Sequence, residues 1–309
     1  MTQQHPKWLA GRLLMAAGLT AAITAGTAIA APALPYTPGA DDEVVERLPA
    51  RPDAARRAQR AELAREPRPL PLALAAAQQA IVRARQLGDP RELRAAQAAL
   101  APWWQDEQPP APVRLLRATL RQSHHQFDQA LADLDALVVD ARAPLPLRAQ
   151  ALLTRATVHQ VRGHHAQAQA SCEQLMQPPF VGLGDAVSRA ALACQIELRS
   201  LRGDPRAAQR QLDGLAARAP GDTWLALLRA ELAERLGDDA EAQRHYATAA
   251  AGGEVYALAA YADWLLDRGR AREALAALAL GPAEADALLL RRAIAWRRLG
   301  DAQADAAIA

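Results

Sequence analysis

The sequence predicts an all-α protein built as a solenoid of helical hairpins, and three observations lead there. Ala, Leu, Arg, Gln and Glu make up most of the 309 residues, and these are the strongest intrinsic helix formers. Aromatic residues amount to 4% and β-branched residues are sparse, which argues against a sandwich, a barrel or a parallel sheet. A pattern centred on glycine then returns every 31 to 40 residues beyond residue 71. Apolar residues make up 51% of the chain, and the regular spacing of Leu and Ala excludes disorder throughout.

The first element is a leader. Residues 1–12 are short and cationic, residues 13–30 carry no charge, and Ala28-Ile29-Ala30 forms a small-x-small site before an extended Ala-Pro-Ala-Leu-Pro stretch. These are the three parts of a secretory signal peptide, with cleavage after Ala30. An uncleaved membrane anchor is the competing reading, since 18 uncharged residues nearly span a bilayer. The Thr and Gly content of the run favours cleavage. The mature chain is therefore expected in the periplasm of a Gram-negative host, with no membrane association after the leader is removed. No second apolar stretch of that length occurs.

Residues 31–70 follow as a Pro-rich linker or arm. Seven prolines in this stretch prevent a continuous helix. A short helix is expected around Asp53–Glu66, with Asp53 as its N-cap.

Residues 71–309 form the repeat domain, read as six to seven hairpins. Ala230, Gly237, Ala242, Tyr246 and Ala249 define the unit, with offsets of seven, five, four and three residues. The same offsets recur at Ala156, Gly163, Ala168, Cys172, Leu175, and again at Ile196, Gly203, Ala208, Leu212, Leu215. Ala262, Gly269, Ala274 and Leu278 make another copy. Ala118, His125, Ala130, Leu134 and Leu137 fit with His at the glycine position. Ile81, Gly88, Leu93, Gln97 and Leu100 form a degenerate copy, and Ala293 with Gly300 begins a last one. The small residue lets paired helices approach closely, and the glycine supplies the positive φ that ends the first helix. Asp89-Pro90 and Asp204-Pro205 read as N-caps followed by proline at the first helical position, with Glu92 placed to close a capping box on Asp89. Prolines 102, 144, 178 and 220 fall where second helices should stop.

This pattern resembles the tetratricopeptide repeat family over residues 71–309, mainly at the small-residue and turn positions. The resemblance implies a right-handed superhelix that acts as a scaffold for a protein or peptide held in its concave groove. It further implies that first helices line the groove while second helices form an outer wall whose charges matter little. Carried over by position, the groove residues are Arg85, Gln122, Gln160 and Glu197, then Trp224, Glu231, Glu234, Asp263 and Arg297. The C-terminal half of that set is acidic, which suits a partner carrying Arg or Lys, and Trp224 offers a rigid aromatic anchor.

Other chemistry finds little support in the sequence. No catalytic motif is present, so no enzyme and no cofactor are expected. Without the leader the chain holds 34 cations and 34 acids, which argues against nucleic acid as a partner. His124, His125, His159, His164 and His165 cluster around two successive turns, and the alternative function is a metal-handling accessory protein using that edge. Cys172 and Cys194 suit a disulfide in an oxidising compartment, with two buried thiols as the competing reading. Trp103-Trp104 is read as covering an open end of the stack, against a partner-anchoring role.

Overall fold

The computed structural model describes residues 54–65 and 68–301. The leader and its cleavage site lie outside the described residues, as do most of the arm and Asp53.

Fourteen helices and no strand occur among the described residues. Helix α1 (Ala54–Leu63) belongs to the arm. Six hairpins follow: α2 (Leu70–Leu87) with α3 (Arg91–Ala99), α4 (Ala111–Ser123) with α5 (Phe127–Val139), and α6 (Leu145–Val161) with α7 (His165–Gln174). Then come α8 (Asp185–Leu201) with α9 (Pro205–Ala217), α10 (Thr223–Leu236) with α11 (Asp239–Ala250), and α12 (Val255–Asp267) with α13 (Ala271–Leu278). Helix α14 (Asp286–Leu299) opens a seventh unit.

The repeat register is also the register of the core. Ala118, Ala156, Ala230, Ala262 and Ala293 are all essentially inaccessible to water, as are Ala130, Ala168, Ala208, Ala242 and Ala274 across the turns. Ala118 with Ala130, Ala156 with Ala168, Ala230 with Ala242 and Ala262 with Ala274 form the small-residue pairs of four hairpins, where a larger side chain would hold the backbones apart, while Ile196 stands opposite Ala208. Leu134, Cys172, Leu212, Tyr246 and Leu278 fill the next buried position on each second helix. All seven turn positions have positive φ: Gly88, Gly163, Gly203, Gly237, Gly269, Gly300 and, among the non-glycine residues described, His125 at 58°.

Proline marks the helix starts. Pro71, Pro112, Pro146 and Pro205 lie in first turns, where the missing N–H costs no helical hydrogen bond. Asp204, Asp222 and Asp238 cap the helices that follow them by accepting backbone N–H bonds from Ala207, Leu225 and Glu241. Caps of this kind contribute about 1 kcal/mol each. Asp89 accepts from the N–H of Arg91, but Glu92 departs from the capping-box expectation, because Arg83 of the neighbouring helix holds its carboxylate at 2.9–3.0 Å.

First helices pack both on their own partners and on one another, α2 against α4, α4 against α6, α6 against α8 and α8 against α10. They therefore lie on the inside of the curve, with the second helices splayed on the outside. The curve closes on itself. The turn at Gly88 meets the starts of α12 and α14, so that a Cβ there would sit 3.2 Å from the Ala287 Cβ and 3.3 Å from Val255 Cγ1. Arg91 and Asp286 face each other across this junction at 3.9 Å.

The Trp103-Trp104 pair does not cover an end of the stack. It sits between the first and second hairpins, half-buried against the core of the first. Arg117 fixes it there by donating to the carbonyls of Trp103, Trp104 and Asp106. No described helix is long and apolar enough to cross a membrane.

Candidate partner-binding surface

Two large aromatic side chains stand exposed on first helices toward the C-terminal end of the array. Trp224, the second residue of α10, exposes 42% of its surface, and Tyr256, the second residue of α12, exposes 40%. They are register equivalents, 32 residues apart like Ala230 and Ala262. The Tyr256 hydroxyl reaches Glu231 at 3.5 Å, which ties the two helices across the wall. Two large aromatic side chains held in water on neighbouring rigid helices lose apolar exposure when covered, and they need little further ordering.

The remaining groove residues expected from the sequence divide sharply. Arg85 and Arg297 are exposed and Gln122 is half-buried. Gln160 and Glu197 do not: both are buried. The curl that brings first helices against one another encloses their flanks, and these two positions lie on those flanks. Glu234 and Asp263 keep some exposure but are engaged within the chain. The Tyr246 hydroxyl donates to Glu234 at 2.8 Å, and Arg268 approaches the same carboxylate at 3.8 Å. Arg291 grips Asp263 with two hydrogen bonds of 2.6 and 2.8 Å. Glu234 and Asp263 are thus already engaged from inside the chain, which leaves them less free to meet a basic partner.

Behind the exposed pair lies an aromatic cluster. Tyr246 stacks near Tyr261 with ring centres 6.0 Å apart, and both approach Trp264. The guanidiniums of Arg268 and Arg270 lie 4.1 and 5.5 Å from the Trp264 ring centre, within cation–π range. Burial and the neighbouring Glu234 push the Tyr246 phenol far above its ordinary range, so it acts as a fixed hydrogen-bond donor.

The histidine edge expected from His124, His125, His159, His164 and His165 does not assemble. His124 is exposed at the C-terminal end of α4, where its backbone N–H bonds to the carbonyls of Leu120 and Arg121. The chain then turns through the positive φ of His125, whose ring lies edge-on to Phe127. In the next hairpin His159 lies in the last turn of α6 and His164 precedes α7, with ring centres 5.8 Å apart, while His165 is the first residue of α7 and half-buried. Among the described residues no three His, Cys, Asp or Glu side chains are placed to share a metal ion. The sequence clusters these five residues, but the turns distribute them over separate local contacts. Cys172 on α7 and Cys194 on α8 form a disulfide with Cα atoms 6.2 Å apart. It ties the third hairpin to the fourth.

No family model matches the chain, and comparison with curated proteins finds no similar sequence. Solved structures to which it is similar are tetratricopeptide repeat proteins. One comes from Parabacteroides merdae, with 15% identity over 75% of this chain and 90% of that chain and a TM-score of 0.43. Another is the TPR2AB-domain:pHSP90-complex of yeast Sti1, with 14% identity over 75% of this chain and 97% of that chain and a TM-score of 0.27.

Proposed function

We propose that the chain is an exported, periplasmic scaffold without catalytic chemistry, which binds a protein or peptide partner on its first-helix wall. The observation that carries this reading is the Trp224–Tyr256 pair. Both rings occupy one register position on successive first helices, with about two-fifths of their surface in water. Aromatic residues in such a setting are the usual anchors of binding hot spots. Export rests on the cationic leader, the uncharged run and the Ala28-Ile29-Ala30 site.

Two measurements test the proposal. N-terminal sequencing of envelope-purified protein should begin at Ala31, and a chain beginning at Met1 would mean an anchor instead. Partner binding, after recovery of the partner by cross-linking in the native envelope, should weaken by about 1–2 kcal/mol or more in Trp224→Ala and in Tyr256→Ala. It should stay near wild type in the exposed second-helix control Arg244→Glu. Equal affinity in all three variants would place the partner elsewhere on the molecule.

A further inference from the structure

A cavity separate from that wall opens at the fourth hairpin. It is a cleft of about 650 Å³ with its floor on α8 and its sides on α7 and α9, and no residue of the flanking first helices α6 or α10 lines it. It therefore opens outward, where adjacent second helices splay. The size falls within the range of ligand sites.

Its chemistry is not that of an ordinary solvated helix face. Arg199, Arg202, Arg210 and Arg218 line it, against a single acid, Asp204. Arg199 approaches Asp204 at 3.3 Å, while Arg202, Arg210 and Arg218 meet no acidic partner among the described residues. Three uncompensated guanidiniums therefore face one concave space in a chain whose overall charge is close to zero. Leu192 and Ile196 on the floor and Leu215 on the α9 side make its apolar part, with Gln195 on the floor and Gln169 and Gln211 at the sides.

Two further features keep the cleft open and its shape fixed. Gly214 lies inside α9 with no positive φ, and a Cβ added there would meet no atom within 4 Å. Neither packing nor backbone geometry calls for glycine at this position, which costs a helix interior about 1 kcal/mol relative to Ala. Its effect is to leave room in the cleft. The Cys172–Cys194 disulfide joins one side, α7, to the floor, α8, and Gln195 donates to the Cys172 carbonyl beside it. The wall and the floor cannot drift apart.

We propose that this cleft is a docking site for an acidic peptide segment in extended form. Its carboxylates pair with Arg202, Arg210 and Arg218, an apolar side chain seats on Leu192, Ile196 and Leu215, and the glutamine amides meet its backbone. Planar guanidiniums suit carboxylates through paired hydrogen bonds. A nucleic acid fits less well, because it needs a continuous cationic track, whereas this one ends within a single hairpin and has an apolar floor. The site is independent of the first-helix wall and prefers the opposite charge to the one expected there from sequence.

The test uses the full mature chain and a fluorescein-labelled decapeptide of alternating Glu and Leu, with the Lys/Leu peptide and inorganic polyphosphate as comparators. The Glu/Leu peptide should bind saturably, and the Lys/Leu peptide should not. Arg210→Glu with Arg218→Glu should weaken binding at least tenfold, and both positions are exposed. Gly214→Trp, which fills the cleft without changing any charge and improves helix propensity, should do the same while the thermal midpoint holds or rises. Trp224→Ala and the surface control Arg272→Glu should bind as wild type. Unchanged affinity in both the double variant and Gly214→Trp would overturn the proposal. So would polyphosphate binding that survives Gly214→Trp and displaces the peptide, since that describes a general polyanion patch.

Discussion

Asp133 on α5 and Arg117 on α4 form a nearly dry ion pair, with Arg117 Nε and Nη2 donating to the two carboxylate oxygens at 2.9 and 2.6 Å. Both side chains are about 5% exposed, and Arg121 adds a third bond to the same carboxylate. The remaining Arg117 nitrogen, Nη1, holds the Trp103–Asp106 segment by its carbonyls. Asp133→Ala leaves that guanidinium buried without its counter-charge, and the expected loss is about 3–5 kcal/mol. Urea unfolding measures it. A loss below about 1 kcal/mol would mean that water reaches the site.

His125 holds the turn conformation that glycine holds in the other hairpins. At φ 58° its Cβ crowds the backbone. His125→Gly should therefore stabilise the chain by about 0.5–1 kcal/mol, less the contact with Phe127. The reverse change, Gly237→Ala, should destabilise by a similar or larger amount, and it isolates the backbone effect because no atom lies within 4 Å of the new Cβ. Thermal melts of the two variants should move in opposite directions.

The disulfide closes a loop of 22 residues. Loop-closure entropy gives about 3 kcal/mol of stabilisation, which Cys172→Ser with Cys194→Ser should remove. Thiol titration of the unfolded, unreduced protein should find no free thiol. Two thiols per chain would show that the pair is merely buried.

Acid should weaken the fold through two histidines. Burial pushes His159 and His245 below the ordinary histidine range, with Arg155 and His164 adding to it at the first and Arg229 and Arg244 at the second. Glu241, 3.2 Å from the His245 ring, pulls the other way without outweighing burial. The unfolded chain takes up these protons first. Their contribution is thus complete above about pH 6.5 and is lost as the pH falls toward the lowered folded values. His245→Gln should flatten the fall in melting temperature between pH 7.5 and pH 5. A wild-type melting temperature that does not fall over this range would show that both rings protonate freely when folded.

The hairpin register was legible because it rests on local geometry. A small residue and a turn glycine have the same meaning in every copy, so even His125 could be assigned its turn. The groove was legible only in part, because facing and exposure depend on curvature, which no local offset encodes. Gln160 and Glu197 sit at the right angular positions yet are enclosed by neighbouring helices. Glu234 and Asp263 found partners that lie 12 and 28 residues along the chain. Tyr256 is not among the carried-over groove positions, although it stands 32 residues after Trp224 in the same register. The arginines of the outer cleft were visible at residues 199–218, but the carried-over expectation of an inert outer wall gave no reason to group them.

The junction of Gly88 with Val255 and Ala287 changes how this array must fold and come apart. An open row of repeats has two ends that unravel independently, and each unit answers only to its neighbours. Here the two ends meet at one junction, where Gly88 approaches Val255 and Ala287, which lie 167 and 199 positions further along the chain. That contact raises the mean sequence separation of native contacts, which slows folding relative to an open row. It also makes α14 a neighbour of α2 in amide-exchange behaviour, so that opening at one terminus should expose the other in the same event.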